Sequence, residues 1–188
     1  MNTLKILVSF APWILFWIIS APHSLSWLRI AIIVALVASV IMGVLKLSRG
    51  VLLWSGLAYF VAATFFVAYL ENMWFIHHLG VLASAALFMG ALITMVMGRP
   101  FTEDFARQSA PPEAWNTPQF RRGCYMTTAV WLLVFFLNLA MNVWKLMQPD
   151  TSGSLLNGLE VVFIASGMLY SNWYSARAKR RKAMVASA

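Results

Sequence analysis

The chain predicts an all-α integral membrane protein, a bundle of about six transmembrane helices. Three observations predict it. Long apolar runs alternate with short polar gaps from near the N-terminus to about residue 174. Apolar residues make up 61% of the chain and charged residues only 11%, where soluble domains carry about a quarter charged. Several runs approach or exceed the ~18 residues needed to cross a hydrocarbon core. With 188 residues and most of them in lipid, there is room for one helical bundle and for no separate soluble domain of ordinary size.

The first span is expected from about Thr3 to Ser20, with Pro12 inside it. Proline removes a backbone donor and kinks a helix, so a re-entrant or interfacial segment is the alternative. A cleaved signal peptide is disfavoured, because Ile19 and Pro22 make a poor cleavage site. The second span runs from about Trp27 to Leu45 and the third from Val51 to Leu70, with Lys46 to Gly50 between them. Glu71-Asn72-Met73 turns the chain into a fourth span, Trp74 to Gly98. The gap from Arg99 to Arg122 holds four of the seven prolines, which excludes a continuous helix through it. The fifth span is expected from about Tyr125 to Met147. Gln148 to Ser154 is rich in turn residues, and the sixth span runs from Leu155 to about Tyr174. Residues 1–175 form a single transmembrane domain in this reading, and 176–188 a basic cytoplasmic tail. No self-similarity between the halves marks an inverted repeat.

The formal net charge is +8, and its placement carries the information. With six spans and a cytoplasmic N-terminus, twelve of the fourteen Lys and Arg fall on the inner side, and only Arg29 and Lys145 on the outer side. That asymmetry supports six spans with both termini on the cytoplasmic side of the membrane. No basic face with interleaved aromatics lies outside the bilayer, so nucleic acid is not expected as a partner. The lone Cys124 excludes an internal disulfide and a cysteine metal cluster.

The inner gap opens with Gly98-Arg99-Pro100-Phe101-Thr102-Glu103-Asp104-Phe105-Ala106-Arg107. Thr102 suits an N-cap, and Glu103 and Asp104 suit the helix dipole. Phe105 can fold against Phe101. A short amphipathic helix on the inner membrane surface is expected, with Trp115 and Phe120 as headgroup-depth anchors and the arginines near lipid phosphates. The stretch serves either as a structured connector or as a recognition site for a lipid headgroup, an anionic solute or a partner protein. Together with Trp115-Asn116-Thr117-Pro118-Gln119-Phe120, it resembles a signature in small uncharacterised bacterial multi-pass proteins. More loosely, through the Phe10 to Trp17 run and the Trp131 to Trp144 span with its Asn residues, the chain is similar to the intracellular septation protein A group. That resemblance implies an inner-membrane protein connected with envelope or division processes and without an established catalytic site.

Polar residues inside spans are expensive in lipid and normally face protein or water. Glu160 is the only acid inside an apolar run. Counting back from the loop near Asp150 places Asn142 at a similar depth and Lys145 slightly closer to the surface. Glu160 is therefore expected to be held by Asn142 or Lys145. Asn138, four residues from Asn142 on the same helix face, extends the polar line inward. Interhelical polar adhesion, a proton or cation pathway, and interfacial snorkelling remain open for this group.

His77 and His78 point about 100° apart on a helix and cannot both face one pocket. Even with His23 nearby, a metal site or a haem ligand pair is disfavoured against interfacial histidines beside Trp74. No metal and no cofactor are expected. Cys124, beside Arg122 and without a partner base, reads as a packed small residue. Gly80, Ala83, Ser84, Ala86 and Gly90 permit close approach of a neighbouring helix or of a second copy. No triad spacing, phosphate-binding glycine loop or zinc-protease motif occurs. The expected function is that of a non-enzymatic inner-membrane protein. An envelope- or division-linked scaffold is implied by resemblance, with membrane lipids and a membrane-protein partner or second copy as its contacts. A small-solute or ion transporter or channel using Glu160, Asn138 and Asn142 is the alternative.

Overall fold

Every ordered segment among the described residues is helical, as apolar runs without turn residues dictate. The computed structural model describes residues 9–20, 24–45, 50–108, 110–148 and 153–186; in the last helix, side chains are described for 155–177. Lys5, His23, Lys46, Arg49, Asp150 and the side chains of the basic tail beyond Arg177 lie outside the described residues.

Helix α1 spans Ala11–Ile19. Pro12 sits in its first turn, where the missing donor has no helical partner to lose, so the expected mid-span kink is replaced by an entry turn at Phe10. Helix α2, Leu25–Val44, is capped by Ser24, whose hydroxyl accepts from the Trp27 N–H at 3.3 Å. Helix α3, Val51–Ala63, follows Gly50, which has a φ of 82°. It widens into a π-helical turn over Thr64–Tyr69, where the Leu70 N–H reaches back five residues to the Phe65 carbonyl.

The expected fourth span is divided. Helix α4, Met73–His77, is capped by Asn72, and α5, Leu79–Val96, follows the non-helical His78. At this break Tyr59 of α3 donates its hydroxyl to the Leu79 carbonyl at 3.0 Å. The C-terminus of α5 is a Schellman motif. Gly98 has a φ of 76°, its N–H bonds the Met95 carbonyl, and the Arg99 N–H bonds the Thr94 carbonyl.

Helix α6 is Thr102–Arg107, and a 3-10 turn covers Pro112–Ala114. Helix α7 begins at Pro118, seven residues before the expected start, because Thr117 caps it and Pro118 fits its first position. It runs to Met147, 30 residues or about 45 Å, longer than the ~30 Å of a hydrocarbon core. Helix α8, Gly153–Ala186, continues without interruption through the segment expected as a separate tail.

Neighbouring helices pack in the order α1–α2–α3–α5–α7–α8, and α6 lies on α7. Aromatic side chains tie the start of the series to helices further along it. Phe10 stacks on Trp131 of α7 at 5.4 Å, and Trp13 lies 4.9 Å from Phe60 of α3. Trp131 is almost fully buried, and its indole N–H donates to Ser171 of α8 at 3.0 Å.

Among the described residues, four helical segments are long and apolar enough to cross a membrane: Leu25–Val44, Val51–Tyr69, Leu79–Val96 and Pro118–Met147. Only 22–39% of their most apolar stretches is buried inside the protein. Large apolar residues such as Trp54, Val44 and Val96 face outward. Such a surface suits hydrocarbon rather than water. The described part of α8 does not join the four, consistent with Asn157, Glu160, Ser166, Ser171 and Asn172 diluting its apolar residues.

Candidate functional site

The structure brings Glu160, Asn142 and Lys145 together at one end of the bundle. Lys145 Nζ donates to Glu160 Oε1 at 2.7 Å and to Asn157 Oδ1 at 2.6 Å. Asn142 Nδ2 lies 2.8 Å from the same Glu160 oxygen, 3.0 Å from the Asn138 carbonyl and 3.1 Å from Ser84 Oγ. An amide nitrogen has two protons, so these three acceptors share them. The Lys145 and Glu160 side chains are 23% and 16% exposed, so the pair is held largely away from water. Ser84 brings α5 into the cluster, which thereby ties three helices.

Gly80 makes this contact possible. A Cβ there would lie 2.5 Å from Asn142 Oδ1, so any larger residue would force the hydrogen-bonded amide to shift. Gly90, nearly three turns on, lies against Val51 and Ser55 of α3. The small residues of α5 thus seat helices of the same chain at these two positions.

Asn138 departs from expectation. Its side chain is buried, and its amide donates to the Val134 carbonyl of its own helix at 2.9 Å. A back-bond of this kind satisfies a buried amide without a partner helix. Only its main-chain carbonyl joins the cluster. Asn157 and Ser84 were not singled out as members. Asn157 lies three residues before Glu160, hence on the same face, and that spacing was the available signal.

A cavity of about 160 Å³ adjoins the cluster, lined by His77, Gly80, Val81, Asn142, Lys145 and Leu146. His77 faces it, whereas His78 stacks on Trp74 at 4.3 Å with Nδ1 2.7 Å from the Trp74 carbonyl. Among the described residues no three His, Cys, Asp or Glu side chains converge in a metal-binding group. At the same end Arg29 pairs with Glu71 at 2.6 Å, joining the start of α2 to the turn after α3. Glu71 has a φ of 49°, the left-handed conformation that closes this turn.

The motif from Arg99 to Arg107 lies at the opposite end, and its side chains behave differently from expectation. Thr102 is the first residue of α6 rather than its cap, and it points into the protein. Its hydroxyl donates to the Cys124 carbonyl at 2.8 Å; with that proton committed, Thr128, also at 2.8 Å, donates to Thr102. Pro100, Phe101 and Phe105 are buried, with Phe101 6.3 Å from Phe135 and 6.5 Å from Phe105. The apolar side chains expected to lie on lipid fill the protein core instead, because α7 offers them an aromatic surface. Arg107 binds Glu103 through Nε at 3.0 Å and Nη2 at 2.5 Å, and its guanidinium sits 5.1 Å from the Trp115 ring centroid.

The Asp104 carboxylate packs into the space that a side chain at Gly50 would need. Burial raises its carboxyl above the ordinary carboxylate range, the neighbouring Glu103 adds to the rise, and Arg107 opposes it. Cys124 is buried with a free thiol. No protein-family model, curated protein or solved structure matches this chain.

Proposed function

We propose that this chain is a six-span, non-enzymatic protein of the bacterial inner membrane, with both termini in the cytoplasm, acting as a scaffold. The observation that carries the reading is the closure of its intramembrane polar group. The Lys145 cation and the Glu160 anion are spent on each other; Asn142 donates to Glu160, Asn157 accepts from Lys145, and Ser84 holds Asn142. A conducting pathway instead needs polar groups exposed to water and reaching mid-membrane. Here the next polar residue inward, Asn138, is buried and bonded to its own helix. The envelope- or division-linked context rests on the resemblance to the septation protein group.

Charge placement supports the orientation. The two basic residues assigned to the outer side, Arg29 and Lys145, are both neutralised by acids. The described arginines at the other end are Arg99, Arg107, Arg121, Arg122 and Arg177, and only Arg107 has an ion-pair partner among the described residues. Excess positive charge on one side is the cytoplasmic signature. The first segment and α8 make up the count of six.

Flux measurements test the reading. The purified full chain in proteoliposomes is expected to carry no proton or monovalent-cation flux above that of empty vesicles under an imposed gradient. Flux in the wild type that Glu160→Gln abolishes would replace the scaffold with a transporter.

A further inference from the structure

We infer that the arginine end of the bundle binds the headgroups of anionic phospholipids, through Arg99, Arg121, Arg122 and Arg177. The inference rests on the membrane-spanning reading above, and not on the absence of transport.

The packing places these four side chains on one rim. Gly123 of α7 lies against Tyr174 of α8: a Cβ there would meet the ring at 3.1 Å and its hydroxyl at 3.2 Å. Arg121 and Arg122 immediately precede Gly123, and Arg177 follows Tyr174 by about one turn. A Cβ at Gly98 would lie 3.5 Å from the Tyr125 hydroxyl, which brings Arg99 to the same end of α7. All four arginines are exposed, and none forms an ion pair with a described residue.

The contrast with the other charged groups is the argument. Arg29, Arg107 and Lys145 each have a carboxylate within 2.7 Å. The acids near the rim do not serve it: Glu103 is taken by Arg107, Asp104 packs against Gly50, and the exposed Glu113 pairs with no described cation. Four guanidiniums at one end of a lipid-facing bundle therefore take their counter-charge from outside the described protein. Guanidinium groups match phosphate oxygens in a bidentate fork. Trp173, half exposed, holds Arg177 at 5.2 Å from its ring centroid, and tryptophan favours headgroup depth. A phospholipid supplies both the phosphate and the apolar neighbour that this rim lacks.

The test uses the full chain in nanodiscs, where both faces are open. Phosphatidylglycerol retained per protein is measured by native mass spectrometry against phosphatidylcholine at equal mole fraction. The wild type is expected to retain phosphatidylglycerol preferentially and to melt at a higher temperature when it is present. An anionic surface contributes about fivefold in affinity per basic residue. The R99Q/R121Q/R122Q/R177Q variant should therefore lose at least tenfold in preference, while the four Arg→Lys changes retain part of it. Unaltered helix content by circular dichroism in phosphatidylcholine shows that the glutamine variant is folded; should it fail to fold, the lysine variant and the salt dependence of wild-type retention decide. Inorganic phosphate is expected to leave the melting temperature unchanged. Equal retention of both lipids by the wild type, or undiminished preference in the folded glutamine variant, would overturn the assignment.

Discussion

Removing the lysine from the Lys145–Glu160 pair should cost more than removing both partners. At 2.7 Å and an effective dielectric of about 20, the gross attraction is ~6 kcal/mol. Desolvation of two charges offsets most of it, so the pair is worth about 1–2 kcal/mol net. A single truncation is different, because it leaves a carboxylate in a poorly solvated site at a cost of about 3 kcal/mol. Asn142 still donates to Glu160 in Lys145→Met, which keeps the loss below the upper end of the known range. Glu160→Gln should cost about 1–2 kcal/mol, since the amide oxygen still accepts from Lys145 and Asn142. The double variant Lys145→Met/Glu160→Gln should cost about 1–2 kcal/mol, less than the sum of the singles. The assay is detergent-micelle unfolding by SDS titration, followed by far-ultraviolet circular dichroism. A coupling energy below about 0.5 kcal/mol would refute the reasoning, because independent sites add to within that margin.

Other perturbations act on single contacts. Gly80→Ala places a methyl group 2.5 Å from Asn142 Oδ1 and should destabilise by about 1–3 kcal/mol through overpacking, while Gly80→Ala in an Asn142→Ala background should cost markedly less; equal costs would show that Asn142 is not what Gly80 accommodates. Gly50→Ala combines a φ of 82° with a clash against the Asp104 carboxylate; it should lower the midpoint of the same titration by more than Gly158→Ala, where nothing stands within 4 Å of the added carbon. Asp104 has a folded-state pKa above its ordinary value, so the folded protein holds that proton more tightly than the unfolded chain. Its stabilising contribution is full below the ordinary carboxylate value and is lost progressively as pH rises from there through the raised folded-state value. Asp104→Asn should remove this part of the pH dependence of the melting temperature, and an unchanged profile would contradict the assignment.

Depth was the part of the site legible in the sequence. Counting from the Asp150 region brings Glu160, Asn142 and Lys145 to one level, and the structure joins them. Azimuth was not legible, because helices that are apolar on nearly every face carry little information about which side meets which neighbour. Ser84 therefore read only as a small residue, and Asn157 did not stand out. Asn138 shows a second limit, since a buried amide can turn to its own helix as readily as to a neighbour. Thr102 shows a third: a hydroxyl before two acids reads as a cap, yet Cys124 and Thr128 on α7 offered it buried partners. The break at His78, where Tyr59 bonds the Leu79 carbonyl, and the π-helical turn over Thr64–Tyr69 are announced by no periodicity. The starts of α2, α3 and α4 lie at Ser24, Gly50 and Asn72, whose local chemistry acts within a few residues.

Sidedness of cysteine labelling tests the account most directly. In a Cys124→Ser background, single cysteines at His23, Gln108 and Gln148 are exposed to a membrane-impermeant maleimide on intact bacterial spheroplasts. Labelling at positions 23 and 148, with position 108 reacting only after permeabilisation, is the pattern that six spans and cytoplasmic termini require. Labelling of position 108 in intact spheroplasts would contradict it.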